Sequence, residues 1–196
     1  MRYTMGIVVL CAALAPLGCQ STNSANAGGN NGQQANGERS EQQGIAPATA
    51  ADQRFFDQAG AGGMYEVEAG QLALQKSSDT QVRNIAQRMV TDHTKANDEL
   101  MSLARSEGVA LNAAPTADQQ QMLKQLQGMQ GSDFDREYLR QQKTAHEQTI
   151  ALFQGATQNT SQPVRMWASK TLPTLREHLA MINGDMNGMN NMGSNR

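Results

Sequence analysis

The chain has 196 residues and a formal net charge of −2, from 16 basic and 18 acidic residues. This length allows one domain of ordinary size. The basic residues are dispersed and form no basic stripe, which argues against nucleic acid as a partner. Aromatic residues make up only 4% of the chain, which is thin for the core of a large β-sandwich or barrel.

The N-terminus has the pattern of an export signal. Arg2 supplies the positive start, and the mostly apolar segment 5–17 has the length of a signal core but is short for a bilayer span. Residues 16–19 (Pro-Leu-Gly-Cys) resemble a bacterial lipobox, although proline stands where a branched apolar residue is usual. Residues 25–27 (Ala-Asn-Ala) offer an ordinary cleavage site as the alternative. We favour the lipobox and predict that residues 1–18 are a lipoprotein signal peptide.

The two cysteines support lipidation. Cys11 lies in the signal core and would be removed, so Cys19 remains without a partner for an internal disulfide. A free thiol would be unusual in an oxidising compartment, whereas lipidation at Cys19 accounts for it. Gln20 follows the cysteine, which is typical of outer-membrane sorting. We therefore predict an outer-membrane lipoprotein of the bacterial envelope facing the periplasm, with a freely periplasmic protein as the alternative.

Composition divides the rest of the chain into three parts. Residues 19–51 are rich in Asn, Gly, Gln and Ser without apolar periodicity, so we predict a disordered linker. Residues 52–184 should form the folded domain. The Met-, Asn- and Gly-rich residues 185–196 are predicted to be a disordered tail.

Apolar residues recur at three- and four-residue spacing in four long segments and one short one, as in amphipathic helices. The first long helix is predicted to run from its cap, Asp52, to Lys76, and the second from its cap, Asp79, to a stop at Gly108. Thr116 caps the short helix. The third long helix is predicted from Ser132 or Asp133 to about Ala156, and the fourth from Ser161 to Asn183. No segment has a strand pattern. We predict an all-α up-down four-helix bundle with one short extra helix.

Stretches in all four long segments resemble one family. They are residues 62–68 (Gly-Gly-Met-Tyr-Glu-Val-Glu), 86–97, 134–138 and 172–179. In this order, over roughly residues 52–183, they are similar to the domain of unknown function 4142 family, whose members are labelled outer-membrane proteins. The resemblance implies a ferritin-like four-helix bundle in the bacterial envelope. It implies no reaction, because the family has no settled activity.

The only three histidines each lie in a different predicted helix, on or beside its apolar stripe. Glu66, His93 and His146 fall near the midpoints of their helices and should therefore lie at similar depth in the bundle. His178 is about five residues beyond its midpoint, roughly 7.5 Å along the axis. It is expected in the same layer or one to two turns away.

Imidazole and carboxylate groups inside a bundle are ligands for a transition metal such as zinc, copper or iron. We consider one ion held by two or three of these histidines and Glu66. A ferritin-type di-iron centre is not expected, because the positions three before the histidines are Val90, Lys143 and Leu175 rather than carboxylates. The alternative is that the histidines are core polar groups that hydrogen-bond across helices.

A second metal candidate is the C-terminal tail. Its methionines are Met181, Met186, Met189 and Met192, and thioethers favour Cu(I). The alternative is a low-complexity tail in which methionine is merely common.

No nucleophile elbow, P-loop or dinucleotide fingerprint is present, so catalysis is not expected. The favoured prediction is a non-catalytic envelope protein with a binding or stress-tolerance role, attached to the membrane through its lipid. The competing prediction is a metal-binding protein or weak redox enzyme built on Glu66, His93, His146 and His178. Protein partners are not indicated, and a homodimer through exposed helix faces is left open.

Overall fold

The computed structural model describes the backbone of residues 48–193 and the side chains of residues 48–188. The predicted signal peptide, the lipidation site Cys19 and residues 19–47 of the predicted linker lie outside the described residues. None of the helices in the described part is long and apolar enough to span a membrane.

The described residues form five α-helices and no strand, which confirms the all-α prediction. They are α1 (Ala50–Lys76), α2 (Thr80–Ser106), α3 (Ala117–Gly128), α4 (Gly131–Asn159) and α5 (Gln162–Gly193). Helix α1 packs against α2 and α4, and α5 packs against the same two helices, so the four long helices form a bundle.

The connection from α2 to α4 runs along the bundle. Phe55, near the start of α1, packs against Phe153, near the end of α4, with ring centroids 5.1 Å apart. The Lys76 ammonium, at the other end of α1, donates to the Gln127 carbonyl at 2.6 Å, just before α4 begins. Residues 107–130, which include α3, therefore carry the chain from one end of the bundle to the other against α1 and α4.

The start of α1 differs from the prediction. Its N-cap is Thr49, and Asp52 is the third helical residue of a capping box. Thr49 Oγ1 accepts from Asp52 N at 3.1 Å, and Asp52 Oδ2 accepts from Thr49 N at 2.8 Å. The predicted cap of α2 is confirmed, since Asp79 Oδ1 accepts from Gln81 N and Val82 N.

Asp52 also links the start of α1 to the start of α5. Its Oδ1 accepts from Ser161 N at 2.8 Å, where α5 begins. Burial alone would raise the pKa of Asp52, but the hydrogen bonds from Ser161 and Thr49 outweigh it and hold the pKa below its ordinary value. A carboxyl group whose pKa is lowered on folding contributes stability above its unfolded pKa and loses it as pH falls through its folded pKa.

Asp52→Asn is therefore expected to lower the free energy of unfolding at pH 7 by about 1–3 kcal/mol, the usual cost of unpaired buried donors. The difference from the parent protein should shrink below about pH 4, where the unfolded carboxyl group is protonated. Urea unfolding at several pH values measures both effects. Asp98→Asn, on the exposed face of α2, is the control and should change little. Equal losses in the two variants would contradict this assignment.

The ends of α4 and α5 also differ from the predictions. Helix α4 begins at Gly131, after the N-cap Gln130, rather than after Ser132 or Asp133. Gly131 has a φ of +58°, a conformation that glycine tolerates better than other residues. Helix α5 continues to Gly193, whereas the sequence predicts that the folded domain ends at residue 184 and that disorder begins at residue 185.

Packing explains the longer α5. Ile182 is fully buried, and Met186 packs against the apolar core. These contacts stabilise helix in a stretch whose Gly and Asn content disfavours it.

The core has two apolar clusters. The lower core includes Tyr65, Met89, Phe134, Tyr138, Leu139 and Ile182. The upper core includes Phe55, Phe56, Leu100, Phe153, Val164 and Leu175. Along each long helix, one buried ionisable residue falls between the two clusters. We call these four residues, Glu66, His93, His146 and His178, the polar layer.

Candidate metal centre

The polar layer takes one side chain from each long helix. Glu66 lies on α1, His93 on α2, His146 on α4 and His178 on α5. All four are buried, with exposed fractions between 0% and 5%. The ring centroid of His178 is 5.3 Å from those of both His93 and His146. The position of His178, which the sequence left open, is therefore in the same layer as the other three.

Three ring nitrogens converge on one point. His93 Nε2 is 3.4 Å from His146 Nε2, and His146 Nε2 is 3.2 Å from His178 Nδ1. All three nitrogens lie within 4.8 Å of one another. Two nitrogens bound at 2.0–2.1 Å to a tetrahedral ion would be about 3.3 Å apart. The two measured separations match that value.

Hydrogen bonds assign the protons of two of these rings. His146 Nδ1 is 3.0 Å from the Gln142 carbonyl oxygen, which can only accept, so Nδ1 carries a hydrogen. His178 Nε2 is 2.9 Å from Asp92 Oδ2. Burial acts to raise the pKa of Asp92, but hydrogen bonds from His178 and Arg88 lower it, so the group is a carboxylate and His178 Nε2 is the donor. In their neutral forms, both rings turn a lone pair toward the shared point.

The buried environment favours those neutral forms. Burial lowers the pKa of His146 to about 4. Burial also lowers the pKa of His178, although Asp92 opposes it. For His93, burial and the two neighbouring imidazoles hold the pKa well below its usual range. Two lone pairs therefore face each other at 3.2 Å at neutral pH, an arrangement that a bound cation would stabilise.

Glu66 contacts the outer nitrogens of the histidines. Its Oε2 is 3.1 Å from His93 Nδ1 and its Oε1 is 3.2 Å from His146 Nδ1. Neither oxygen accepts a well-directed hydrogen bond among the described residues, and burial raises the pKa of Glu66 to about 8. Glu66, which the sequence predicts as a candidate ligand, therefore lies on the outer side of these two rings, next to their Nδ1 atoms.

Asp92 contacts the histidine cluster, although the sequence did not single it out as a candidate site residue. It precedes His93 in α2, yet its carboxylate pairs with His178 of α5. Adjacent helical residues point about 100° apart, so sequence adjacency carries no sign of this contact. Only the packing of α2 against α5 brings the two groups together.

The methionines near the C-terminus do not form a separate site in the described residues. Met181 and Met186 are partly buried and pack against the lower core. The side chains of Met189 and Met192 lie outside the described residues. The Cu(I) hypothesis for the tail therefore stays a prediction.

The fold and the polar layer together define a class of protein, a helical bundle with a buried three-histidine cluster. Residues 37–184 match the family model described as Domain of unknown function (DUF4142), which covers most of the chain. The protein belongs to this family, as the sequence resemblance indicated. No curated protein matches the chain significantly.

Two solved structures share the fold. A DUF305 fragment from Deinococcus radiodurans superposes with a TM-score of 0.65 at 15% identity, covering 72% of this chain and 99% of that one. A DUF305 protein from Streptomyces coelicolor has a TM-score of 0.59 at 13% identity, covering 67% of this chain and 88% of that one. At these identities, the likeness concerns the fold alone.

Proposed function

We propose that this protein binds one transition-metal ion through His93 Nε2, His146 Nε2 and His178 Nδ1. The observation that carries the proposal is the short distance of 3.2 Å between His146 Nε2 and His178 Nδ1. The other nitrogen of each ring donates a hydrogen bond, to the Gln142 carbonyl and to Asp92, so the two close nitrogens both carry lone pairs. Without a cation, this arrangement buries two facing lone pairs, which is unfavourable in a low dielectric.

The ligand set restricts the choice of ion. Imidazole nitrogens suit zinc, copper, iron and nickel, whereas magnesium and calcium prefer oxygen ligands. Asp92 supplies a carboxylate that accepts from His178 Nε2 and fixes the tautomer of that ring. The Glu66 carboxyl group lies beside the outer nitrogens of His93 and His146 and would ionise when a cation binds to the inner ones. Three protein ligands leave a tetrahedral ion with one further position.

We place this binding in the bacterial envelope, as a protein attached through a lipid on Cys19. The export pattern of residues 1–18 supports this location. Intact mass of the mature protein tests it. A lipid-modified Cys19 at the N-terminus is expected, and an unmodified N-terminus at Gly28 would contradict it.

Metal content tests the proposal directly. The protein is purified without affinity-tag histidines, stripped with a chelator, and supplied separately with Zn(II), Cu(II), Fe(II) and Co(II). We expect about one ion per chain for at least one of these metals. Free metal at a hundredfold excess over its Kd should raise the free energy of unfolding by about 2.7 kcal/mol. Elemental analysis and thermal melting measure the two effects.

If none of these metals binds or raises the melting temperature, the metal proposal is wrong. The histidines would then be core polar groups, as the alternative interpretation of the sequence holds.

A further inference from the structure

A small cavity borders three of the four residues of the polar layer, Glu66, His93 and His178. It has a volume of about 30 Å³. Leu100, Phe153 and Leu175 of the upper core form its apolar walls. This volume holds one or two water-sized groups.

One polar side chain lines this cavity a turn above His93. Asn97 follows His93 by four residues and so lies on the same face of α2; its exposed fraction is 8%. Its Nδ2 makes one weak contact among the described residues, to Met64 Sδ at 3.7 Å. One N–H of this buried amide therefore has no acceptor there and is free to donate to a group in the cavity.

Gly63 makes room for this amide. A Cβ atom at position 63 would lie 2.0 Å from Asn97 Oδ1. The Asn97 carboxamide thus occupies the space that a side chain at position 63 would fill. Its place in the cavity wall depends on the absence of a side chain at Gly63.

A surface groove between α2 and α5 lies next to the cavity. The groove has a volume of about 140 Å³, and Lys95 and Lys170 lie on its rim. The groove and the cavity share Asp92, Ala96, Thr171 and Thr174 as lining residues. The groove and the cavity are therefore neighbours, with these four residues between them.

We propose that the ion bound by the three histidines accepts a small exogenous ligand at its open position, inside this cavity, with Asn97 Nδ2 donating a hydrogen bond to it. The ligand class is a hydrogen-bond acceptor of two or three atoms that enters between α2 and α5. This inference rests on the proposed metal site. It adds an exchangeable ligand position, where a purely structural ion would have a closed coordination shell.

Azide binding to the cobalt-loaded protein tests the inference, because the visible spectrum of Co(II) reports coordination directly. We expect azide to change the spectrum with saturation at about one equivalent bound. Imidazole, which is too large for the cavity, should leave the spectrum unchanged.

Two variants locate the azide. Ala96→Leu adds bulk at the proposed entrance between the groove and the cavity and should weaken azide binding at least tenfold. Asn97→Leu removes the donor at similar size and should weaken it by about tenfold. Met101→Leu, on the exposed face of α2, is the control. Cobalt content and circular dichroism confirm that each variant folds and retains the ion. Thr174→Leu replaces Ala96→Leu if that variant does not fold.

The outcomes separate the two claims. Failure to bind cobalt or any other metal removes the proposed function and this inference with it. Cobalt binding without an azide response overturns the inference alone and leaves the metal site standing. An azide response that both the entrance variant and Asn97→Leu leave unchanged also overturns it, because the ligand would then bind outside this cavity.

Discussion

His146→Leu is expected to weaken metal binding by ~10²–10³-fold and to leave the metal-free protein at least as stable as the parent. His146 is the central ring of the cluster, with Nε2 at 3.4 Å from His93 and 3.2 Å from His178. Binding free energies of roughly 10–16 kcal/mol are shared among three or four ligands, so losing one costs this order of affinity.

Metal affinity should fall in His146→Leu, but the stability of the metal-free protein should stay the same or rise. His146 is fully buried, and leucine has a similar volume without a lone pair facing His178. Replacing a polar group by an apolar one of similar shape is nearly neutral or stabilising. Metal titration and thermal melting, each with and without metal, separate the two effects. The metal-dependent rise in melting temperature should disappear.

Gln142→Leu is the matched control for this variant. Gln142 lies one turn before His146 on α4, is fully buried, and has no hydrogen-bond partner for its side-chain atoms among the described residues. The substitution should stabilise the protein by about 1–3 kcal/mol and preserve metal affinity. If His146→Leu destabilises the metal-free protein by several kcal/mol and no metal effect exists to lose, the ring is a structural hydrogen-bonding group.

Glu66→Gln is expected to weaken metal binding by about 10–100-fold, the usual effect of losing a carboxylate behind a metal-binding histidine. The Glu66 oxygens lie 3.1 and 3.2 Å from the outer nitrogens of His93 and His146. A carboxylate there favours a hydrogen on each outer nitrogen and a lone pair on the inner one. Glutamine keeps the size but cannot ionise, whereas Glu66, whose pKa burial raises to about 8, can lose its proton when a cation binds beside the rings.

The same variant distinguishes a positioning residue from a ligand. If Glu66 only orients the rings, the Co(II) spectrum at saturation should keep its shape while the Kd rises. A changed coordination spectrum would show that Glu66 binds the ion, as the sequence suggested. Asp135→Asn, which alters another buried carboxyl group outside the polar layer, should affect neither the Kd nor the spectrum.

Helix boundaries were predictable where local chemistry determines them. The α2 cap at Asp79 and the end before Gly108 follow from hydrogen bonding and backbone preferences within a few residues. The prediction failed where distant contacts decide. Asp52 is held by Ser161, more than a hundred residues away, and α5 extends past Asn183 because Ile182 and its neighbours are buried.

The candidate site was also only partly predictable from the sequence. The three histidines stood out because they lie on or beside apolar stripes, and Glu66 because it falls near the midpoint of its helix. Helix rise predicted a similar depth for Glu66, His93 and His146 and left that of His178 open. The direction in which each nitrogen points did not follow. It depends on the rotation of each helix and on partners such as Asp92 and the Gln142 carbonyl.

The sequence by itself determined the all-α class, the four long helices and the similar depth of Glu66, His93 and His146, because amphipathic periodicity and helix rise are local properties of the chain. Only the tertiary structure decided that His178 joins the layer, that Glu66 lies behind the rings, and that Asp92 pairs across to α5. These are distances of a few ångströms between helices, set by how the side chains of all four helices pack together.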